Sequence, residues 1–240
     1  VFMILSGVNY VAYFYLTTRQ IKEIFHVEEI RVYFGVILAS SIFIAFNIRS
    51  LYPTLGECFR YAFFQVGSII TTTGYATTDF DLWPETSKTI LVLLMFIGAC
   101  AGSTGGGLKI SRLLILCKSI PKQLSLVIHP REIKVIKMDG KAIEHQVMRA
   151  TNVYLAIYFF IILGSTLFVS VDNFDFTTNF TAVVSALNNI GPGLAGVGPT
   201  RNFGAFSVFS KFVLMFDMLA GRLELYPLLV LFMPSLWRRK

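Results

Sequence analysis

The sequence is short of charge. Aspartate, glutamate, lysine and arginine make up 15% of its 240 residues, against about a quarter in a soluble domain. Apolar residues make up 55%, 23 of them phenylalanine, and the mean hydropathy is +0.66. A soluble surface cannot be assembled from that supply, whereas lipid-facing helices accept it. Cysteine is scarce too. Cys58, Cys100 and Cys117 are odd in number and scattered, which excludes a disulfide framework and a zinc site. Histidine is limited to His26, His129 and His145, all in polar stretches and read as solvated. No apolar segment holds a pocket of His, Cys or paired carboxylates, so no catalytic residue, enzyme activity or bound cofactor is expected. A signal peptide is lacking at the start. Val1 opens the apolar run "VFMILSGVNYVAYFYL", which reads as a helix cut partway, so the chain is expected to be a fragment or to be numbered from inside a longer protein.

What is present is a set of long apolar runs. A spanning helix needs about 20 apolar residues. Residues 32–48, 89–117 (interrupted by glycines), 153–171 and 206–237 meet that length, and 1–16 reads as the end of another span. The runs "CFRYAFFQVGSII" (58–70) and "NFTAVVSALNNI" (179–190) are too short to cross. Each leads at once into a glycine-containing polar segment, the pattern of a helix that enters a membrane and turns back. Irregular backbone survives at that depth only inside protein or along a watery cavity.

The two halves share this plan. With Gly74 set on Gly191, Phe59 meets Phe176, Phe63 meets Phe180, Val66 meets Val183 and Ser68 meets Ser185. After a shift of register, Ser87-Lys88 meets Ser210-Lys211, Met95 meets Met218 and Gly98 meets Gly221. The common order, more than any single match, indicates a repeat.

The net charge of +7 is a matter of topology. Arg19, Lys22 and Arg31 form one basic group. Lys118, Lys122, Arg131, Lys134, Lys137, Lys141 and Arg149 form a second, and Arg238, Arg239 and Lys240 a third. All fall on one side if each unit crosses, re-enters and crosses back. The positive-inside rule makes that side cytoplasmic, and nucleic-acid binding is not expected. The opposite side carries Glu57, Asp79, Asp81, Glu85, Asp172 and Asp175, either a mouth that concentrates cations or ordinary loop acids.

Three segments carry candidate chemistry. The first is "TTTGY": Thr71, Thr72, Thr73, Gly74 and Tyr75. Backbone carbonyls can replace the hydration shell of a potassium ion, and glycine lets the chain leave helical geometry to present them. The second, "NNIGP", holds the same place in the next repeat: Asn188, Asn189, Ile190, Gly191 and Pro192. Asn188 and Asn189 either add side-chain oxygens or cap the helix end. The third is "GACAGSTGGGLKISR" (98–112). A phosphate loop would read GxxxxGK[ST] after a strand. Here Leu108 separates Gly107 from Lys109, Ile110 stands where Ser or Thr belongs, and the flanks are apolar helix. Gly102, Ser103, Thr104, Gly105, Gly106 and Gly107 therefore break a helix below the first segment, as an obstruction or as a kink for close packing. Arg222 is costly within a span. It either faces the path or pairs with Asp217 or Glu224. Lys109 and Arg112 are expected to snorkel to the cytoplasmic interface.

"TTTGYATTDFDLWP", "GACAGSTGGGLKISR", "LNNIGPGL" and "GRLELYPLLVL", in this order and spacing, resemble the Trk/Ktr/HKT superfamily of potassium transporters, and within it the TrkH-type uptake subunits of bacteria. The resemblance implies fused span–pore helix–span repeats, four in the family, of which this chain supplies two. Residues 1–18 would be the end of the preceding inner helix, 19–31 a cytoplasmic loop and 32–118 the third repeat. Residues 119–149 would be a basic cytoplasmic loop and 150–237 the fourth repeat. It further implies potassium as the transported ion, filter loops at 71–75 and 188–192, and an intramembrane gate loop at 102–107 facing Arg222. It implies a multi-pass place in the inner membrane among lipid, a homodimer, and a cytosolic nucleotide-binding regulatory subunit that the basic loop Lys118–Arg149 is long enough to dock; a solvated loop and lipid headgroup contact are equally good readings of that loop. A sodium-permeable or ion-coupled relative (a symporter) and a non-transporting fragment stay open as alternatives. The first is disfavoured because Gly74 and Gly191 are both glycine.

Overall fold

The computed structural model describes residues 1–129, 135–223 and 225–231. The N-terminal run is two short helices, α1 (Phe2–Ser6) and α2 (Tyr10–Thr17). They part at residues 7–9, where the Asn9 side chain accepts from the Val11 amide and starts α2. α3 (Ile21–His26) follows, then α4 (Glu28–Asn47), α5 (Leu55–Ile70), α6 (Glu85–Ile97) and α7 (Ile110–Ile128). A hairpin of β1 (Lys137–Met138) and β2 (Lys141–Ala142) leads to α8 (His145–Val169), α9 (Phe176–Leu187), α10 (Val208–Arg222) and α11 (Leu225–Leu231).

Helix length divides these elements. At 1.5 Å per residue, α4 (20 residues) and α8 (25 residues) run roughly 30 and 38 Å, enough for a hydrocarbon core. α5 (16 residues) and α9 (12 residues) fall short at roughly 24 and 18 Å. Polar residues fix where the short helices begin: Thr54 accepts from the Glu57 amide ahead of α5, and Asp175 from the Thr178 amide ahead of α9.

Two units repeat the same packing. α5 lies against α4 and α6; α9 lies against α8 and α10; α6 touches α9 and joins the units. The last six residues of α5, Gln65–Ile70, are buried, and so is α9 from Thr178 to Leu187 apart from the partly buried Phe180. The helices around them do the reverse and turn apolar side chains outward, among them Phe43 and Phe46 of α4, Phe160 and Leu167 of α8, and Phe212 of α10. An apolar exterior around buried polar turns is what lipid as a solvent requires.

Several expected boundaries move. The loop expected at 19–31 contains α3 and the start of α4. The loop expected at 119–149 is helical through Ile128, despite Pro121, and helical again from His145. Between them lies, among the described residues, the one departure from an all-α fold, the β1–β2 hairpin, whose Asp139-Gly140 turn has both φ values positive, 51° and 77°. That dipeptide is a strong hairpin former. The span expected at 206–237 is broken after Arg222. Glu224, Trp237 and the basic residues Arg131, Lys134, Arg238, Arg239 and Lys240 lie outside the described residues.

Candidate functional site

The short helices α5 and α9 end in the same turn, bond for bond. The Thr71 amide reaches Gly67 O and the Asn188 amide Val184 O (3.3 and 3.0 Å). Thr72 reaches Ile69 O and Asn189 reaches Ala186 O, both at 3.0 Å. Thr73 reaches Ser68 O and Ile190 reaches Ser185 O, both at 2.9 Å. Thr72 and Asn189 are left-handed at φ 54° and 55°, and Gly74 and Gly191 follow at 79° and 110°. A non-glycine residue in that region costs about 1–3 kcal/mol, so the Thr72 conformation is held by its surroundings. Ser68 Oγ donates to Tyr75 O at 2.6 Å, and Ser185 Oγ accepts from Gly191 N at 3.0 Å. Among the described residues, no donor takes the carbonyls of Thr72, Thr73 and Gly74, nor those of Asn189, Ile190 and Gly191. Backbone acceptors seek partners, and these are free for one.

The turns meet each other. A Cβ on Gly74 would run into the carbonyl oxygen of Ile190 and sit 3.3 Å from Pro192 Cδ. The glycine loop between α6 and α7 meets both. The Gly106 amide donates to Thr72 Oγ1 at 2.8 Å, and a Cβ there would lie 2.5 Å from Asn188 O. The loop is tied further by Ser103 Oγ to Cys100 O at 2.6 Å and, to the N-terminal run, by Thr104 Oγ1 to Ser6 O at 3.2 Å and Tyr10 N to Gly102 O at 3.2 Å. Two cations hold adjacent carbonyls of the loop. Lys109 Nζ donates to Gly105 O, and Arg222 Nη1 donates to Thr104 O at 3.1 Å.

Several side chains differ from their expected roles. Lys109 turns back onto the loop instead of snorkelling. Arg112 stacks on Tyr154, 3.9 Å from the ring centroid, a cation–π contact. Asp217 is fully buried and takes Ser165 Oγ at 2.7 Å; Arg222 bonds the loop carbonyl instead of it. The Asn188 amide caps Val184 O while its oxygen takes the Tyr158 hydroxyl, and the Asn189 amide donates to Met218 O. The Asn188 side chain is therefore engaged at both its nitrogen and its oxygen, the Asn189 side chain at its nitrogen. Most of the acids expected at one rim are similarly committed. Asp81 takes the Ala195 amide, Asp79 the Thr200 hydroxyl and Asp172 the Ser207 amide. The hydroxyl and amide of Thr178 hold the Asp175 carboxyl below its ordinary range.

One residue was missed. Glu29, in the first turn of α4, is buried, and its Oε1 accepts from Ala101 N at 2.6 Å and from Ser111 N at 3.1 Å. The pair Glu28-Glu29 at the head of an apolar run was the only signal of it.

Two units, each a long helix followed by a buried short helix and a third helix, with matched polar turns facing each other inside an apolar exterior, define a helical protein of the membrane class. The chain belongs to the TrkH family, described as cation transport protein, whose model matches residues 1–239. It is 35% identical over 241 residues to the Trk system potassium uptake protein TrkH of Salmonella typhimurium, covering 99% of this chain and 50% of that protein. It is 31% identical to TrkG of Escherichia coli, covering 99% and 49%. The crystal structure of the potassium transporter TrkH from Vibrio parahaemolyticus matches with a TM-score of 0.88 at 33% identity, over 99% of this chain and 52% of that one. The chain thus spans about half the length of these relatives.

Proposed function

We propose that this chain forms the third and fourth repeats of a potassium-uptake protein of the inner membrane. α5 and α9 are its re-entrant pore helices, and the turns 71–75 and 188–192 are two of its filter loops. The ion sheds water for the free carbonyls of these turns. The C-terminal ends of α5 and α9, which carry the negative ends of the helix dipoles, favour a cation there. The loop 102–107 is the gate, and Arg222 holds it closed while placing positive charge in the ion's path. Opening would require Arg222 to release Thr104 O and Lys109 to release Gly105 O. The observation that carries this reading is the seat of the glycine loop, bonded to Thr72 and pressed against Asn188 at the start of both turns.

The same reading makes the side bearing Lys118, Lys122, Lys137, Lys141 and Arg149 cytoplasmic. The segment from α7 through the hairpin is then the dock for a cytosolic nucleotide-binding subunit, and the full-length protein is a homodimer. The test is rubidium uptake, with sodium as competitor, in cells lacking their own potassium uptake and expressing the full reading frame that carries this chain. Uptake that prefers rubidium, and loses that preference in Gly74→Ser, is expected. Uptake indifferent to Gly74→Ser would remove the filter assignment, and sodium uptake of equal rate would favour the sodium-permeable relative.

A further inference from the structure

The break between α6 and α7 leaves a problem that the glycines do not solve. The first turn of a helix has amides without intrahelical partners, and Lys109, the cap residue of α7, provides no side-chain acceptor. The acceptor comes from another helix. Glu29 Oε1 takes Ser111 N in the first turn of α7, and the same oxygen takes Ala101 N where the loop leaves α6. One carboxylate therefore clips together the two ends of the loop. Glu29 is 3% exposed, and a carboxylate is costly to bury unless hydrogen bonds replace its water. Charge-assisted bonds to amides are about twice as strong as neutral ones, and the first-turn positions of α4 and α7 both favour negative charge. The other unit offers a comparison within the chain. Its first long helix, α8, follows the cap residue Glu144 and has no carboxylate in its first turn, His145-Gln146-Val147-Met148, and its inner helix carries no glycine loop to clip.

We propose that Glu29 is a positioning residue for the glycine loop: its carboxylate latches both ends of the loop and so keeps it seated under the two turns. The latch rests on contacts alone; its effect on ion flow rests on the reading of the loop as a gate. Two native thiols report on it. Cys100 lies in the loop and Cys58 in α5, both fully buried. In the full-length protein with Cys117→Ser, the rate of N-ethylmaleimide labelling at each site is followed by mass spectrometry in the wild-type, Glu29→Gln and Glu29→Ala backgrounds. The expected result is labelling of Cys100 several-fold faster in Glu29→Gln and faster again in Glu29→Ala, with Cys58 unchanged. Cys100 as protected as in wild type in both variants would overturn the latch. So would Cys58 and Cys100 rising together in both, because Glu29 would then hold the whole fold and not the loop. Rubidium uptake by the same proteins separates the second step. A raised maximal rate at unchanged half-saturation is expected, whereas a shifted half-saturation at unchanged rate would move Glu29's effect to the ion-binding turns and overturn it as a loop latch. If Cys100 is released while no version transports, wild type included, the latch stands and the gate reading fails.

Discussion

At the scale of the residue, glycines separate by what lies opposite their Cα atoms. A Cβ on Gly221 would run into the carbonyl oxygen of Leu187, whereas Gly35 of α4 has open space around it. Overpacking a fixed contact costs about 1–3 kcal/mol, while alanine gains about 1 kcal/mol over glycine in a helix interior. Gly221→Ala should therefore lower the thermal midpoint of the purified full-length protein by several degrees, and Gly35→Ala should hold or raise it; differential scanning fluorimetry in detergent checks both. Arg222 gives the second residue-scale prediction. Without its bond to Thr104 O, the loop loses one of the two cations that hold its adjacent carbonyls and keeps Lys109 on Gly105 O. Arg222→Ala should raise rubidium flux several-fold. Flux equal to wild type in a protein that still folds would show that Arg222 is no part of the barrier.

At the scale of the element, capping decides where helices begin, and two caps are testable. α4 is capped from outside its own sequence neighbourhood: Asp139 in the hairpin accepts the Glu28 amide at 2.7 Å, while Lys118 of α7 bonds both the Glu28 carboxylate and Lys137 O. Asp139→Ala should cost about 1 kcal/mol and speed hydrogen exchange in the first turn of α4, without touching α9. Asp175 caps α9, and its folded-state pKa lies below the ordinary 3.8. A depressed carboxylate contributes stability that is complete above the unfolded value and is lost as pH falls through the folded one. The acid limb of the stability profile should therefore be shallower in Asp175→Asn: the gap to wild type is full above about pH 4 and closes below it.

At the scale of the whole molecule, the distribution of charge makes an orientation prediction. With Cys117→Ser as background, a cysteine at Lys141 should be labelled by a membrane-impermeant maleimide only in inside-out vesicles, and one at Asn202 only in intact spheroplasts. The reverse pattern, or labelling of both from one side, would reject the topology in which each unit crosses, re-enters and crosses back.

Much of this was legible in the chain itself. Low charge and long apolar runs determine a helical membrane protein, because hydrogen bonding within the helix is what hydrocarbon permits. The lengths of the runs separated α5 and α9 from α4 and α8, and the alignment of Gly74 on Gly191 anticipated turns that share three backbone hydrogen bonds. Such features are local, set by composition, periodicity and the φ that a glycine allows. What the sequence could not determine was partnership across distance. Nothing near Glu29 names Ala101 and Ser111, nothing near Asp139 names Glu28, and Arg222 had two acids close in sequence yet bonds a carbonyl of a distant loop. Only the tertiary structure decided these, because a polar group bonds whichever partner packing brings within about 3 Å, and packing is a property of the whole fold.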